Sequence, residues 1–203
     1  MNIVRFKCGP ILACSYLLYN DGAKDAILID AGGDIEKILR IAEENKVKIS
    51  AVLLTHGHFD HTGACFALQN LGAKIFIHKN DEKLVTTDEG TCGFNIKIDN
   101  FTPDVLFDGG EELVLCGIKI KVIHTPGHTS GGVCYMIENN LFTGDTLFLG
   151  SYGRVDLGGN INELKNSIIN VLFKIDSDYD VYPGHERSTT LSREKELNPI
   201  RYA

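Results

Sequence analysis

The chain has 203 residues, of which 43% are hydrophobic and 23% charged, so it is long and apolar enough to bury a sizeable core. Its formal charge of −7, from 27 acidic and 20 basic residues, provides no basic surface for nucleic acid. No run approaches the roughly 20 apolar residues that span a bilayer, and no secretory cleavage site follows the apolar stretch 11–19. We therefore expect a cytoplasmic protein with reduced cysteines and no nucleic-acid or membrane partner.

The first half of the chain alternates apolar runs with amphipathic segments. Asn20-Asp21-Gly22 separates two apolar runs and predicts a hairpin. Apolar runs predict strands at 11–19, 26–29, 51–54 and 75–77, and residues spaced at helical intervals predict helices at 35–45, 62–71 and 80–87.

After Gly90 the pattern changes to short strands and turns. Strands are predicted at 105–107, 113–115, 118–123, 133–137, 141–143 and 181–182, and helices at 162–174 and 189–197. Each half therefore supplies strands first and helices afterwards. This order favours an α/β fold in which two sheets face one another and helices cover them. No linker interrupts the chain, so we predict one domain over residues 1–203.

Residues 55–61 (THGHFDH) place three imidazoles and a carboxylate directly after the predicted strand 51–54. His56 and His58 are two residues apart, so on an extended segment both side chains point the same way. Asp60 and His61 break this period, and we expect the chain to bend there as it enters the helix from Thr62. The two pairs can then face two different ions.

Three more ligand-type residues lie beside glycines just past apolar strands: His128, Asp145 and His185. Seven ligands exceed the needs of one tetrahedral ion and suit two ions that share a bridge. A carboxylate such as Asp145 has two oxygens and can bridge two cations. The ions would lie roughly 3.5–4 Å apart with a hydroxide between them.

The order of these motifs resembles the metallo-β-lactamase superfamily and, within it, the glyoxalase-II-like hydrolases. The matching motifs are LIDAG (28–32), THGHFDH (55–61), TPGHT (125–129), TGDTLF (143–148), GR (153–154) and PGH (183–185). The resemblance implies a four-layer αββα sandwich with two mixed sheets. It also implies that His56, His58 and His128 bind one metal ion and that Asp60, His61 and His185 bind the other. Asp145 would bridge the two ions, and Asp30 would orient a ligand histidine from outside.

Two features depart from glyoxalase II proper. Only 18 residues follow His185, so the helical platform that helps to hold glutathione is missing. Arg187 stands where glyoxalase II typically has a tyrosine that contacts the thiol carrier. The ending is more similar to compact bacterial relatives, which argues against glutathione as the carrier.

Arg154 lies in a glycine-rich loop at 150–154, where the simplest interpretation is a solvated surface arginine. A basic residue at the matching position of glyoxalase II contacts the carrier, so we interpret Arg154 as a binding group for a substrate carboxylate. Tyr152 is a weaker candidate of the same kind. Cys65, four residues after the histidine cluster, is expected to pack rather than to bind metal.

The leading hypothesis is hydrolysis of a small acyl thioester, with Asp60 and Asp145 as the catalytic carboxylates. Two cations would lower the pKa of a bridging water towards ~7, the resulting hydroxide would attack the acyl carbon, and Asp60 would accept a proton. Zinc is the expected metal, and iron and manganese accept the same ligands. The partner is thus a small-molecule thioester, and the oligomeric state is left open.

Three alternatives remain open at this stage. A persulfide dioxygenase looks similar and uses one iron, for which His56, His128 and Asp145 suffice. A hydrolase of lactones or β-lactams shares the same ligand types. A metal-binding module without catalysis is the third.

Overall fold

The computed structural model describes residues 1–203. The first half of the chain forms a six-stranded mixed sheet in which the strands lie side by side in the order in which they occur in the sequence. The strands are β1 (Asn2–Cys8), β2 (Ala13–Tyr19), β3 (Asp25–Ile29), β4 (Lys48–Leu53), β5 (Lys74–His78) and β6 (Val105–Phe107). The first three pair antiparallel, and β3 to β6 run parallel. The hairpin predicted around Asn20-Asp21-Gly22 joins β2 to β3.

The second half forms another six-stranded mixed sheet and a small two-stranded one. Its strands are β7 (Glu112–Leu115), β8 (Ile118–His124), β9 (Val133–Ile137), β10 (Asn140–Gly144), β11 (Leu147–Phe148), β12 (Ser151–Tyr152), β13 (Asp180–Pro183) and β14 (Thr189–Thr190). The large sheet has the order β14-β13-β10-β9-β8-β7, in which only the β10–β13 pair is parallel. Strands β8, β10 and β13 consequently run in one direction and end at one edge.

Six short α-helices connect and cover the sheets. They are α1 (Ile35–Glu44), α2 (Phe59–Thr62), α3 (Cys65–Asn70), α4 (Glu82–Thr86), α5 (Ile161–Asn166) and α6 (Leu191–Leu197). A π-helical turn at Ser167–Val171 and a 3₁₀ turn at Leu172–Lys174 extend α5. No helix of the structure combines the length and the apolar character needed to cross a membrane.

The core consists of three apolar layers, because alternate residues of each strand face opposite ways. Leu17 and Leu28 face outwards and pack against α1 and α3. Leu18 and Ile27 face the second sheet, and the central layer they join is buried between the sheets. The third layer covers the other face of the second sheet with α5 and α6. The result is the αββα sandwich that the sequence predicted.

Several predicted element boundaries were wrong. Strand β1 was missed, and the strand predicted from residue 11 begins only at Ala13 because residues 9–12 form a turn. The helix predicted at 62–71 begins at Phe59 and is interrupted at Gly63, where a side chain would meet the Gly32 carbonyl oxygen at 2.8 Å. The helix predicted at 189–197 begins with two strand residues, since residues 189–190 pair with β13.

Candidate metal centre

Four strand ends deliver the seven predicted ligands to one edge of the sandwich. Strand β4 leads into the segment 55–61 and helix α2. From the second sheet, β8 leads to His128, β10 to Asp145 and β13 to His185. Both halves of the chain therefore contribute to the cluster, as expected for a site placed by rigid strands at a loop-bearing edge.

One group within this cluster consists of three buried histidines. The ligand atoms of His56, His58 and His128 all lie within 4.8 Å of one another. The closest approach joins His56 Nε2 and His128 Nε2, which are 3.2 Å apart. Three imidazole nitrogens at this spacing match the ligand set of a zinc-type ion.

A second group contains Asp60, His61 and His185. Asp60 Oδ2 lies 3.1 Å from His185 Nε2 and 3.4 Å from His61 Nε2. Helix α2 begins at Phe59 and carries Asp60 and His61, whereas His56 and His58 lie in the segment before it.

Asp145 lies between the two groups. Its Oδ1 is 3.4 Å from His61 Nε2, and its Oδ2 is 3.7 Å from His128 Nε2 and 3.6 Å from His185 Nε2. A third triad, His56, His61 and Asp145, overlaps both of the others. The two carboxylate oxygens thus face histidines of both groups.

The outer nitrogens of two of these histidines are held by fixed partners. His128 Nδ1 lies 2.7 Å from the Arg154 carbonyl oxygen. Because a carbonyl oxygen only accepts, Nδ1 carries a proton, and the ring in its neutral form presents the lone pair of Nε2 to the cluster. His61 Nδ1 lies 2.8 Å from Asp30 Oδ2. Asp30 therefore contacts a candidate ligand histidine from outside the cluster.

His56 is oriented through Thr55. The Thr55 hydroxyl donates its only hydrogen to Asp30 Oδ2 at 2.8 Å, so it accepts from His56 Nδ1 at 3.1 Å. The proton on Nδ1 leaves Nε2 of the neutral His56 ring with a lone pair. That lone pair faces the corresponding lone pair of His128.

These donor atoms fit a cation. Two lone pairs 3.2 Å apart repel one another unless a positive charge lies beside them. His61 Nε2 and Asp145 Oδ1 are also buried without any hydrogen-bond partner. Buried polar atoms are nearly always paired in folded proteins, so the unpartnered set indicates a site for ions.

The pKa values around the cluster have opposite shifts. Burial, reinforced by neighbouring histidines, lowers the pKa of His56 well below its ordinary value and that of His58 to about 3. Burial alone would lower the pKa of His61, but the carboxylates of Asp60 and Asp30 raise it well above the ordinary value. Burial alone would raise the pKa of Asp60, whereas His61 and His185 lower it below the ordinary value. Neutral imidazoles and ionised carboxylates are the forms that bind metals, so the shifts of His56, His58 and Asp60 favour binding, whereas His61 has to release a proton to a bound ion.

Sequence reasoning missed Asp81, which ties two ligand-bearing loops together. Its buried carboxylate accepts hydrogen bonds from Gly57 N (3.0 Å), from Thr129 Oγ1 (2.7 Å) and from Gly131 N (2.7 Å). Gly57 lies between two candidate ligands, and Thr129 follows a third. The only sequence signal was an acidic residue just past β5, at the same edge as the other strand ends.

A cavity of about 530 Å³ opens onto the cluster. Tyr152 and Arg154 lie on its wall, where the sequence placed candidate substrate contacts. The Arg154 guanidinium also pairs with Asp156, with Nε–Oδ1 and Nη2–Oδ2 distances of 2.6 and 2.5 Å. Hydrogen bonds from Arg154 lower the pKa of Asp156 to about 2. The role of Arg154 towards a substrate carboxylate stays a prediction.

Cys65 lies outside the ligand triads. It is fully buried on α3 and packs in the layer between the first sheet and its helices. Burial raises the pKa of its thiol well above the ordinary value, which disfavours the thiolate that binds metals.

Known proteins resemble this chain over most of its length. A sequence profile described as the metallo-beta-lactamase superfamily matches residues 9–199. The hydroxyacylglutathione hydrolase GloC of Haemophilus influenzae is 36% identical over 188 residues, covering 89% of each chain. Among solved structures, the BLEG-1 B3 metallo-beta-lactamase has a TM-score of 0.93 at 32% identity over 100% of both chains. TTHA1623 in a di-iron-bound form has a TM-score of 0.85 at 32% identity, over 97% of this chain and 99% of that one.

Proposed function

This chain belongs to the metallo-β-lactamase superfamily, and from that premise we propose that it is a metal-dependent hydrolase of thioesters. The observation that carries the proposal is the pair of adjoining ligand groups with Asp145 between them and with histidine lone pairs directed at one another. The likeness to GloC of Haemophilus influenzae supports a thioester as the substrate class.

In this proposal the seven residues of the cluster hold two divalent cations. One set comprises His56, His58 and His128, the other Asp60, His61 and His185, and Asp145 is shared. Cations bound there supply a nucleophilic hydroxide at neutral pH and Lewis acidity towards a carbonyl oxygen. Zinc is the proposed metal, and the di-iron form of TTHA1623 makes iron the first alternative.

The groups of the chain itself have two tasks in this reaction. Asp30, Thr55 and the Arg154 carbonyl fix the ligand rings of His61, His56 and His128 so that their Nε2 atoms face the cluster. Asp60 is the proposed proton acceptor as the intermediate collapses, through Oδ1, the oxygen that is not turned towards His61 and His185. The thiolate leaves without a general acid, because a free thiol has a pKa of about 8.5.

The test combines metal analysis with turnover. We expect about two ions per chain by inductively coupled plasma mass spectrometry, together with hydrolysis of S-lactoylglutathione or a simpler acyl thioester. His58→Ala and Asp145→Ala should each abolish turnover while circular dichroism stays that of a folded protein. Thioester turnover by a variant that has lost its metal would refute the proposal. One iron per chain, no hydrolysis and oxygen uptake with a persulfide would instead identify a dioxygenase.

Hydrolysis of a β-lactam or lactone is the second candidate function. The specific observation in its favour is the TM-score of 0.93 to the BLEG-1 B3 metallo-beta-lactamase over the whole of both chains. Ring opening of a chromogenic β-lactam by the metal-loaded protein, at a kcat/KM above that for any thioester, would favour this candidate.

A further inference from the structure

The cavity beside the metal centre has mostly apolar walls. Apart from the candidate ligands, its lining includes the apolar residues Ile11, Phe59 and Phe94 and the charged residues Arg154 and Glu186. A cavity of about 530 Å³ is large enough for an acyl chain together with the first part of its carrier. Most of what a substrate would touch there is hydrocarbon.

Two apolar side chains at this cavity are left open to solvent. Ile11 is 54% exposed and Phe94 is 48% exposed, and they come from separate loops of the first half of the chain. The Phe94 ring also contacts the buried Phe59 ring, with centroids 5.7 Å apart. Exposed apolar groups at the wall of a polar-ended cavity are typical of a surface that an apolar ligand covers.

The one guanidinium of the wall is paired without a substrate. Apart from the candidate ligand histidines, Arg154 is the only basic side chain that lines the cavity. Its Nε and Nη2 atoms both donate to the Asp156 carboxylate. Glu186 is the remaining charged wall residue outside the ligand set, and it is acidic. A carrier carboxylate would therefore meet one shared guanidinium and two acidic side chains.

On the basis of the proposed thioesterase function, we propose that the substrate is an apolar acyl thioester of an uncharged thiol carrier. The acyl chain packs against Phe94 and the neighbouring apolar wall, and the carrier arm leaves past Arg154 and Glu186 without placing a carboxylate there. Recognition is by apolar burial, which favours each additional buried methylene by about fourfold. Glutathione, with two carboxylates, is a poor carrier for this site.

The experiment compares two acyl groups on one carrier and one acyl group on two carriers. The metal-loaded protein is assayed with hexanoyl-N-acetylcysteamine, acetyl-N-acetylcysteamine and S-hexanoylglutathione. We expect kcat/KM to be at least tenfold higher for the hexanoyl than for the acetyl ester. We also expect it to be at least tenfold higher for the neutral carrier than for glutathione. Equal or better turnover of the glutathione ester overturns the carrier assignment and leaves thioesterase activity standing. No turnover of any thioester overturns the proposed function itself.

Two variants assign the effect to named wall residues. Phe94→Ala should reduce the ratio of kcat/KM for the hexanoyl ester to that for the acetyl ester at least threefold. Phe66→Ala is the control, because it alters an exposed ring on α3 away from the cavity, and it should leave this ratio unchanged. Asp156→Asn frees the Arg154 guanidinium and should shift the ratio of the two kcat/KM values at least threefold towards S-hexanoylglutathione. Unchanged ratios in both variants would refute recognition by this wall.

Discussion

At the scale of single residues, the centre depends on groups that fix the ligands from behind. Asp81 is the clearest case, because one carboxylate accepts hydrogen bonds from both loops that carry the three-histidine group. We predict that Asp81→Asn weakens binding of the first metal ion by roughly 10- to 100-fold, the range found for outer partners of metal ligands. An asparagine keeps one oxygen but turns an N–H donor towards the backbone N–H of Gly57 or Gly131. Competition titration against a chromogenic chelator measures the change.

Asp104→Asn is the matched control for this prediction. The Asp104 carboxylate likewise accepts a hydrogen bond from a backbone N–H, that of Ile75, at 2.9 Å. Ile75 lies at the start of β5, whereas Asp81 lies just past the end of that strand, beside the ligand loops. We expect metal affinity to be unchanged in this variant. Equal affinities in Asp81→Asn and the unaltered protein would show that the loops hold their positions without the carboxylate.

Gly184 offers a second residue-scale prediction. A Cβ there would lie 2.2 Å from Asp145 Oδ1 and 2.7 Å from His61 Cε1, so Gly184→Ala must displace a candidate ligand. We expect the metal content per chain to fall. Gly22→Ala is the control. A Cβ at Gly22 would have no neighbour within 4 Å, but the φ of +73° is strained for alanine. This substitution should therefore cost about 1–2 kcal/mol of stability and leave the metal content unchanged. Full metal content in Gly184→Ala would contradict the steric argument.

Residue by residue, the sequence indicated the ligand types and, through the family resemblance, the outer partner Asp30, but not the rest of their surroundings. Each candidate ligand follows an apolar run and most lie beside a glycine, so their convergence could be predicted from strand ends. Asp81 could not, because a carboxylate after a strand is common and its three partners come from loops far along the chain. The pairing of Arg154 with Asp156 is a local contact between residues two apart, which the sequence pattern did not reveal, and it changes the substrate that one would infer from the arginine alone.

At the scale of elements, apolar runs marked the strands that are buried on both faces, which are β2 to β5, β9 and β10. Strand β1 escaped notice because it carries Arg5 and Lys7 and is only partly buried, as befits the edge of its sheet. The helix predicted at 162–174 occupies the right segment, but it loosens after Asn166 into π and 3₁₀ turns. Periodicity cannot distinguish these from a regular helix, since the apolar side is kept.

Helix α6 gives the element-scale prediction. Asp178 accepts from Ser192 N and from Ser192 Oγ, both at 2.8 Å, in the first turn of this helix. These hydrogen bonds lower the pKa of Asp178. A lowered folded-state pKa stabilises the protein above the unfolded value of about 3.9 and ceases to do so as the pH falls through the folded value.

We therefore predict that Asp178→Asn destabilises the protein near pH 7 and becomes neutral in acid. The loss should be about 1 kcal/mol, a typical net contribution of a hydrogen bond in a folded protein. Urea unfolding of both proteins between pH 7 and pH 3 measures it. The difference in unfolding free energy should stay constant down to about pH 5 and shrink below about pH 4. If the difference in unfolding free energy between the two proteins is the same at every pH, the charge of the Asp178 carboxylate has no part in stabilising the start of α6.

At the scale of the whole molecule, the centre joins the two halves of the sandwich. The segment 55–61 comes from the first sheet, and His128, Asp145 and His185 come from the second. Protein contacts cross the same boundary: Tyr16 donates to the Pro183 carbonyl at 2.5 Å, and Cys14 N to that of Gly184 at 2.7 Å. The sequence predicted two layered sheets, but the alignment of these strand ends depends on the central apolar layer, which only the folded chain shows.

Ions held by both halves should stabilise the native sandwich strongly, because the unfolded chain has no such arrangement of ligands. A ligand at 100 times its dissociation constant contributes about 2.7 kcal/mol, so two ions would contribute about 5 kcal/mol. For a domain of this size each kcal/mol shifts Tm by about 2–4 °C, and we predict that chelation lowers Tm by about 10 °C or more. Differential scanning calorimetry before and after dialysis against a chelator, with metal content measured on the same samples, tests this. Adding zinc back should restore Tm. If Tm stays the same after two ions per chain have been removed, the cluster binds metal without joining the halves, and the protein contacts alone hold the sheets in register.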